Sequence, residues 1–142
     1  MGQGSYVPAA GQIGTTAMHK DSSSFVAWAT NCSVKRGYQQ INDSTLGKAS
    51  LGDSTNVYGK ANGTVVSLGD GGEAILNLYQ SLHNGPGPDF AIFENGFNSS
   101  FLELAFVEVS SDGIHFFRFP ANSETQDSSQ IGSFGNLDAT YL

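Results

Sequence analysis

The chain has little cysteine, little charge and no long apolar run, and each shortage excludes a class of protein. With Cys32 as its single cysteine, the chain can hold neither an internal disulfide nor a multi-cysteine metal site. No apolar run approaches the roughly 18 residues that a membrane-spanning helix needs. Residues 1–4 carry neither the basic side chains nor the apolar stretch of a signal peptide, a pattern also expected of a mature exported segment.

Basic residues are scarce and unevenly placed. Residues 1–60 carry five basic and three acidic side chains, whereas residues 61–142 carry ten acidic side chains and a single basic one, Arg118. A nucleic-acid-binding protein presents a basic face, so this distribution predicts that nucleic acid is not a partner. It is compatible with a cation site built from oxygen ligands, although acidic residues also simply keep a β-domain in solution.

Glycine and phenylalanine dominate what is present. The 18 glycines, with charged residues at only 13%, favour a turn-rich β protein over a helical one. Eight of the ten phenylalanines lie in residues 89–120, where short strands alternate with turns. Within residues 89–120, the pattern of residues 103–110 and 114–120 predicts a hairpin closed by a turn at 111–113. We expect an all-β fold, an antiparallel β-sandwich of jelly-roll type whose phenyl rings are trapped between two layers.

A second hairpin is predicted upstream of this region. Residues 64–68 and 73–78 have the pattern of two strands joined by a glycine-rich turn at 69–72. Two prolines in residues 84–88 then break any strand ladder. The apolar residues 90–94 that follow predict a centrally buried strand.

We predict that residues 1–142 form one β-sandwich domain. Residues 1–63 are expected to be a loop-rich wrap with a short helix near 22–30, because an Asp-Ser-Ser-Ser cap precedes a brief apolar run. Residues 64–119 supply the core strands, and residues 120–142 form an incomplete C-terminal part.

Three phrases of the chain resemble a family of secreted bacterial cell-surface proteins. They are SLGDGGEAILNL (residues 67–78), NGPGPDFAIFENGF (84–97) and FLELAFVEVSSDGIHFFRFP (101–120). Members of that family occur in Bacteroidetes with sorting-signal tails, and in cyanobacteria and proteobacteria with PEP-CTERM anchors. The last hairpin is also similar to one in discoidin-type, galactose-binding-like β-sandwiches.

The resemblance implies an exported, surface-associated, non-enzymatic protein with an extracellular location. Its relatives continue beyond the point that corresponds to residue 142, so it also implies either a truncated product or sheets that are completed by a separate C-terminal segment or another surface protein. An unpaired edge strand would otherwise be exposed to strand addition.

Candidate catalytic patterns each have a simpler interpretation. The Gly52-Asp53-Ser54 triplet occurs in some esterases, but no histidine follows near the C-terminus to accept a serine proton. The glycines at 69–72 open a strand, whereas a phosphate loop opens a helix. Glu103 and Glu108 lie five residues apart on one strand and so face opposite sides. We therefore predict that the chain is not an enzyme.

Calcium is the one cofactor that the residue pattern favours. The three histidines lack the short spacings of zinc sites, whereas Ca²⁺ takes six to eight oxygens from Asp, Glu, Asn and carbonyl groups in loops. Solvated carboxylates at strand ends are the simpler alternative. The candidate calcium ligands at turns and strand ends are Asp70, Asp89, Glu94 and Asn95.

Aromatic side chains outside the strands are the candidate ligand contacts. Sugar rings stack on aromatic faces, and Asn, Asp and Gln supply directional hydrogen bonds. The long polar connection 37–63 has this mixture and is the expected binding face, although any ordered loop has a similar composition and Trp28 also suits a core position. The candidate ligand-binding residues are Trp28, Tyr38, Asn42, Tyr58 and Phe97.

These observations predict a non-catalytic extracellular module that captures a glycan or another small nutrient, with calcium bracing its loops. One alternative is capture of a vitamin such as a corrinoid for an outer-membrane transporter. The other is a structural or adhesion protein that recognises other protein surfaces.

Overall fold

The computed structural model describes Ile13, residues 18–93 and residues 105–119. The chain divides into two compact units, one formed by Ser23–Gln80 and the other by Met1–Ser22 with Ser81–Leu142. Among the described residues the regular elements are strands β1 (Ala29–Lys35), β2 (Glu73–Leu78), β3 (Glu108–Val109) and β4 (Phe117–Arg118), and 3₁₀ helices η1 (Ser44–Leu46) and η2 (Ser54–Val57).

Both sheets are antiparallel ribbons of two strands, β1 with β2 and β3 with β4. Neither 3₁₀ helix exceeds four residues. The all-β, antiparallel part of the fold prediction is therefore confirmed. In the described ranges no helix is long and apolar enough to cross a membrane.

One face of the β1–β2 ribbon is mainly apolar, and the other mixes Ile75 with polar side chains. Its register places Cys32 opposite Leu76 and Val34 opposite Ala74, so that these side chains share a face. Cys32 is 6% exposed and is the most deeply buried apolar side chain among the described residues. The ribbon is interrupted near its start by a bulge at Thr30, whose hydroxyl donates to a β2 carbonyl.

The predicted short helix near 22–30 is wrong. Residues 25–28 have no regular structure, and β1 begins at Ala29. The Asp-Ser-Ser-Ser sequence forms turns instead of a helix cap. The ladder with β2 satisfies the backbone groups of β1, and this long-range pairing outweighs a local preference for one helical turn.

The predicted hairpin between residues 64–68 and 73–78 is also wrong in its pairing. The chain does turn where expected, with the Gly72 N–H donating to the Gly69 carbonyl at 2.9 Å. However, residues 64–68 form no regular strand, and β2 pairs with β1. The backbone of 64–68 is instead bonded to the loop, since Ser67 N–H donates to the Leu51 carbonyl at 3.0 Å.

Close backbone contact defines the small interior of the Ser23–Gln80 unit. Gly37 is buried, and a Cβ at this position would lie 2.2 Å from the Asp70 carbonyl oxygen. Ala49, 9% exposed, lies beside it and donates its N–H to the Gly37 carbonyl at 3.0 Å. Glycine is required at residue 37 because two backbones meet there without room for a side chain.

The antiparallel pairing of the predicted C-terminal hairpin is confirmed, but each strand is only two residues long and residues 110–116 between them form no regular strand. Strand β3 pairs with β4 so that Glu108 lies opposite Arg118 and Val109 opposite Phe117. Asp112 is the turn residue, and one carboxylate oxygen accepts the N–H groups of residues 114 and 115, both at 2.8 Å. The ribbon is further closed by an ion pair from Arg118 Nε to Glu108 Oε1 at 2.7 Å.

The phenyl rings of this hairpin are not all trapped between layers, contrary to the prediction. Phe106 is 66% exposed and Phe117 is 72% exposed, whereas Phe90 and Phe119 are half-buried with ring centroids 5.6 Å apart. Alternation places Phe117 on the Val109 face and Phe106 on the opposite face. A single covering layer can bury only one of these faces, so the two-sided distribution of aromatics leaves rings in water.

Candidate functional site

The candidate site lies in the Ser23–Gln80 unit, where the loop after β1 crosses the turn before β2. Tyr38 and Asp70 exchange two backbone hydrogen bonds, 3.2 Å with Tyr38 donating and 2.7 Å with Asp70 donating. The Gln39 N–H donates to the Gly47 carbonyl at 2.9 Å, which closes the loop on itself. The Gln39 side chain adds a second hydrogen bond across the loop, with Nε2 donating to the Leu46 carbonyl at 2.9 Å.

Arg36 organises the backbone behind this crossing. Its Nη1 donates to the Leu51 carbonyl at 2.9 Å and to the Ser67 carbonyl, and its Nη2 donates to the Gly52 carbonyl. A guanidinium has a planar array of donors, so one side chain can join two separate segments in this way. Lys48 in turn donates from Nζ to the Arg36 carbonyl at 3.1 Å.

A pocket of about 310 Å³ opens beside these contacts. It is lined by Gln39, Ala49, Ser50, Leu51 and Ser67. An amide and two hydroxyls supply hydrogen-bond donors and acceptors, while an alanine and a leucine supply apolar surface. A polar lining of this kind suits a hydroxylated ligand, since each hydroxyl can both donate and accept.

A repeated turn flanks the pocket wall at residues 49–51. Asp43 caps η1 by accepting from Thr45 N at 3.1 Å and Thr45 Oγ1 at 2.5 Å. Asp53 caps η2 in the same manner, accepting from Thr55 N at 2.7 Å and Thr55 Oγ1 at 2.5 Å. The sequence analysis missed this pair, although Asp-Ser-Thr followed by Gly-Lys-Ala occurs twice, at 43–49 and 53–61.

The second turn has an electrostatic signature. The hydroxyl and the N–H of Thr55 lower the pKa of Asp53 below its ordinary value, and the Arg36 guanidinium adds a smaller effect in the same direction. η2 also contacts β1, and Gly59 N–H donates to the Ala29 carbonyl at 2.8 Å. The ionised carboxylate therefore stabilises the turn at the start of η2, and a backbone hydrogen bond from Gly59 attaches the segment after η2 to β1.

Trp28, Tyr38 and Tyr58, the predicted aromatic contacts within the described residues, do not line the pocket. Tyr38 is next to Gln39 in the chain, but its ring contacts the Lys48 ammonium, 5.8 Å from the ring centroid. Trp28 is half-buried, with its ring centroid 5.4 Å from that of Phe25. The remaining predicted contacts are Asn42, which is exposed; Tyr58, which is half-buried after η2; and Phe97, which lies outside the described residues.

The pocket is lined mainly by residues of the loop that the sequence marks as the expected binding face. Four of the five lining residues belong to the connection 37–63 that the sequence marked as the binding face. Ser67 comes from the following segment. The serines carried no signal that would distinguish them from the many other polar loop residues.

Two of the predicted calcium ligands lie within the described residues, and each accepts a backbone hydrogen bond. Asp70 Oδ2 accepts the Ile41 N–H at 2.9 Å and so joins the turn before β2 to the loop after β1, whereas Asp89 Oδ1 accepts the Gly85 N–H at 2.8 Å within its own turn. The two belong to different compact units, and Glu94 and Asn95 lie outside the described residues. Within residues 18–93 and 105–119, no group of three or more His, Cys, Asp or Glu is placed to hold a metal ion.

The 110–115 turn contains a serine, a carboxylate and an imidazole in contact. Asp112 Oδ2 lies 2.6 Å from His115 Nδ1, and Ser110 Oγ lies 3.0 Å from Asp112 Oδ1. The His115 contact, followed by the N–H groups of residues 115 and 114, holds the pKa of Asp112 well below its ordinary value. A hydrolytic relay needs the serine on the histidine, whereas here it is on the carboxylate, so the cluster is a turn brace.

No protein family, curated protein or solved structure matches this chain. The function of the chain is therefore inferred from contacts within the described residues, and chiefly from the polar pocket beside Gln39.

Proposed function

We propose that this chain is a non-catalytic, extracellular surface module that binds a neutral glycan or another small hydroxylated nutrient. The observation that carries the proposal is the pocket of about 310 Å³ lined by Gln39, Ser50 and Ser67 with apolar surface from Ala49 and Leu51. Sugars present hydroxyls at their edges and C–H groups on their ring faces, and this lining offers a partner for each.

The charges around the pocket favour a neutral ligand over an anion. Arg36 directs its Nη groups at three backbone carbonyls, and Lys48 is engaged by the Arg36 carbonyl and the Tyr38 ring. Moving either cation to a phosphate or sulfate would leave backbone carbonyls without their donors. The serine hydroxyls, in contrast, have no such competing role in the loop framework.

The volume of the pocket favours a ligand of one or two sugar rings. It lies at the lower end of the roughly 300–1,000 Å³ range of small-molecule sites. A corrinoid macrocycle is larger than this space. The same binding screen can include corrinoids, and a stronger stabilisation by a corrinoid than by any sugar would replace the glycan proposal with the vitamin-capture alternative.

The proposal includes the finer architecture expected from the sequence, an antiparallel β-sandwich of jelly-roll type with a bacterial cell-surface location. The two-faced β1–β2 ribbon supports it, because its apolar face requires a second layer. Calcium bracing of the loops belongs to the same proposal. It predicts that EDTA lowers the melting temperature and that added Ca²⁺ restores it.

The test is a thermal-shift screen of mono- and disaccharides followed by titration calorimetry, since a ligand that binds the folded state raises apparent stability. Ser50→Ala and Ser67→Ala remove single hydroxyls while retaining the backbone bonds of the loop. Each should weaken the affinity about tenfold, by analogy with loss of one buried hydrogen bond. Gln40→Ala, next to the lining residue Gln39, is the matched control and should bind normally. Equal binding by all three variants would refute the pocket assignment.

An adhesive role is the second candidate, favoured by the exposed aromatic side chains of the β3–β4 hairpin. Phe106 and Phe117 project into solvent from opposite faces, and Ile114 at the turn is 76% exposed. Phe117→Ser should then abolish attachment to a protein-coated surface without changing glycan affinity. Unchanged attachment would remove this candidate.

A further inference from the structure

We infer that the structure around Asn62–Gly63 favours spontaneous deamidation, which converts Asn62 to a mixture of aspartate and isoaspartate. Both residues are exposed. In the reaction the Gly63 backbone nitrogen loses its proton to solvent base and attacks the Asn62 side-chain carbon. Ammonia leaves, a five-membered succinimide forms, and water then opens the ring at either carbonyl.

The turn holds the Asn62 amide in position for this attack. Its Oδ1 accepts hydrogen bonds from Thr64 N at 2.9 Å and Thr64 Oγ1 at 2.6 Å, which keep the amide folded over the following peptide. When the Gly63 nitrogen attacks, negative charge develops on Oδ1. The two donors are already aimed at that oxygen, so they act in the manner of an oxyanion hole.

Gly63 offers an unhindered nucleophile. Its φ is +88°, and a Cβ built there would meet nothing within 4 Å. The described contacts include no hydrogen bond from its backbone nitrogen. Absence of a side chain and of an acceptor both make this nitrogen easier to deprotonate and to bring against the amide.

The chain contains an internal control at Asn84–Gly85, which is also exposed. Here the Gly85 N–H donates to Asp89 Oδ1 at 2.8 Å. A carboxylate on this N–H disfavours its deprotonation, because the resulting amide anion would lie beside a like charge. Of the three Asn-Gly pairs in the sequence, the third being Asn95–Gly96 outside the described residues, these two therefore differ in whether the glycine nitrogen is available and whether the asparagine amide is activated.

The two products have different structural consequences. Aspartate at 62 reproduces the Asp-x-Thr turns at Asp43 and Asp53, so it should preserve the loop. Isoaspartate adds a methylene to the main chain and shortens the side chain that accepts from Thr64. Thr64 Oγ1 also lies 3.2 Å from the Asn56 carbonyl, so the isoaspartate form should loosen the connection to η2.

The experiment is incubation of the purified chain at mildly alkaline pH with peptide mapping over time. Asn62 should convert several-fold faster than Asn84 and give both products. Thr64→Val should slow the deamidation of Asn62 by about three- to tenfold. This effect is smaller than that of removing a donor from a buried oxyanion hole, because water reaches this turn and can replace the lost hydroxyl. Thr64→Ser should restore the rate, and neither variant should affect Asn84.

Two further variants keep the test independent of folding effects. Asp89→Ala should accelerate conversion of Asn84 and leave Asn62 unchanged. The Asn62→Asp variant should have the melting temperature of the fresh wild-type chain, and this temperature should not change on incubation. The melting temperature of the wild-type chain, in contrast, should fall as isoaspartate accumulates. Equal rates at the two sites, or a Thr64→Val variant that converts as fast as or faster than wild type, would overturn the inference.

Discussion

Tyr38 and Asp70 bond to each other through both backbone groups, and the Asp70 carboxylate then accepts the Ile41 N–H at 2.9 Å. The turn before β2 thus holds the start of the pocket loop in two ways. The Asp70 carboxylate therefore has a structural partner in the pocket loop.

Asp70→Ala should destabilise the chain by about 1 kcal/mol, because Ile41 N–H loses its acceptor. Asp70→Asn keeps a side-chain oxygen at the same position and should remain close to wild type in urea denaturation. If calcium were bound at Asp70, both variants would lose the Ca²⁺-dependent part of the melting temperature. A similar loss of stability in both, without calcium, would contradict the brace assigned here.

Gly37→Ala should be among the most damaging single substitutions. The added Cβ would lie 2.2 Å from the Asp70 carbonyl and 2.5 Å from the Gly72 nitrogen, both of which are backbone atoms that cannot rotate away. We expect a loss of about 3 kcal/mol or failure to fold.

Gly47→Ala is the matched control for Gly37→Ala. Gly47 has a φ of +79° and a ψ of −165°, a region adopted almost only by glycine, but open space around it, so alanine should cost only backbone strain, about 2 kcal/mol, without a steric clash. Denaturant midpoints of the two variants measure the difference. Equal destabilisation would mean that the crossing at Gly37 is looser than described.

Arg36→Met should cost about 3 kcal/mol, because three carbonyl acceptors on two segments lose a charged donor together. Arg36→Lys should recover only part of this, since one ammonium cannot reproduce the planar fork. Lys35→Met, one residue earlier on β1, is the control and should change the free energy of unfolding by less than about 0.5 kcal/mol. Full rescue by lysine would show that charge alone matters at position 36.

Acid should weaken the 53–57 turn. The folded-state pKa of Asp53 lies below its ordinary value of 3.8, chiefly through the Thr55 hydroxyl and N–H. The stability that the ionised Asp53 carboxylate adds to the folded chain is therefore fully present at pH values above that ordinary pKa. It is lost as the pH falls through the lowered folded-state pKa. The free energy of unfolding measured from about pH 5 down to pH 2 should fall more steeply for wild type than for Asp53→Asn, which keeps an acceptor but does not titrate. Parallel curves would contradict the prediction.

Cys32 should react slowly with alkylating reagents in the folded chain. It is 6% exposed, and burial raises the pKa of its thiol, so little thiolate is available for attack. The alkylation rate should rise with denaturant in step with unfolding. Rapid alkylation under native conditions would place the thiol on the outer face of β1 and contradict the described register.

The C-terminal hairpin could be predicted from sequence because its information is local. An Asp-Gly turn between alternating segments specifies the reversal and the antiparallel partner but not the register, since the predicted turn at 111–113 would place Val109 opposite residue 115 and the structure places it opposite Phe117. The partner of β2 could not be predicted in this way. β1 and β2 are separated by 37 residues between Lys35 and Glu73, and no local pattern encodes that pairing.

The candidate site, too, was only partly predictable from the sequence. The length and polarity of the 37–63 connection marked it as a binding face, and four of the pocket residues come from it. The aromatics were chosen because they are conspicuous, yet Tyr38 faces Lys48 and Trp28 faces Phe25. Which loop side chains share a concave surface depends on the path of the backbone through the crossing at Gly37.

Composition and pattern by themselves determined that this is a β protein with short strands, a single thiol and a hairpin at its phenylalanine-rich end. These properties follow from local propensities and turn residues. The tertiary structure decided the pairing of β1 with β2, the exposure of the hairpin rings, and the meeting of Gln39, Ser50 and Ser67 at one pocket. Those features arise from contacts between segments far apart in the chain, where the geometry of one backbone crossing outweighs any local preference.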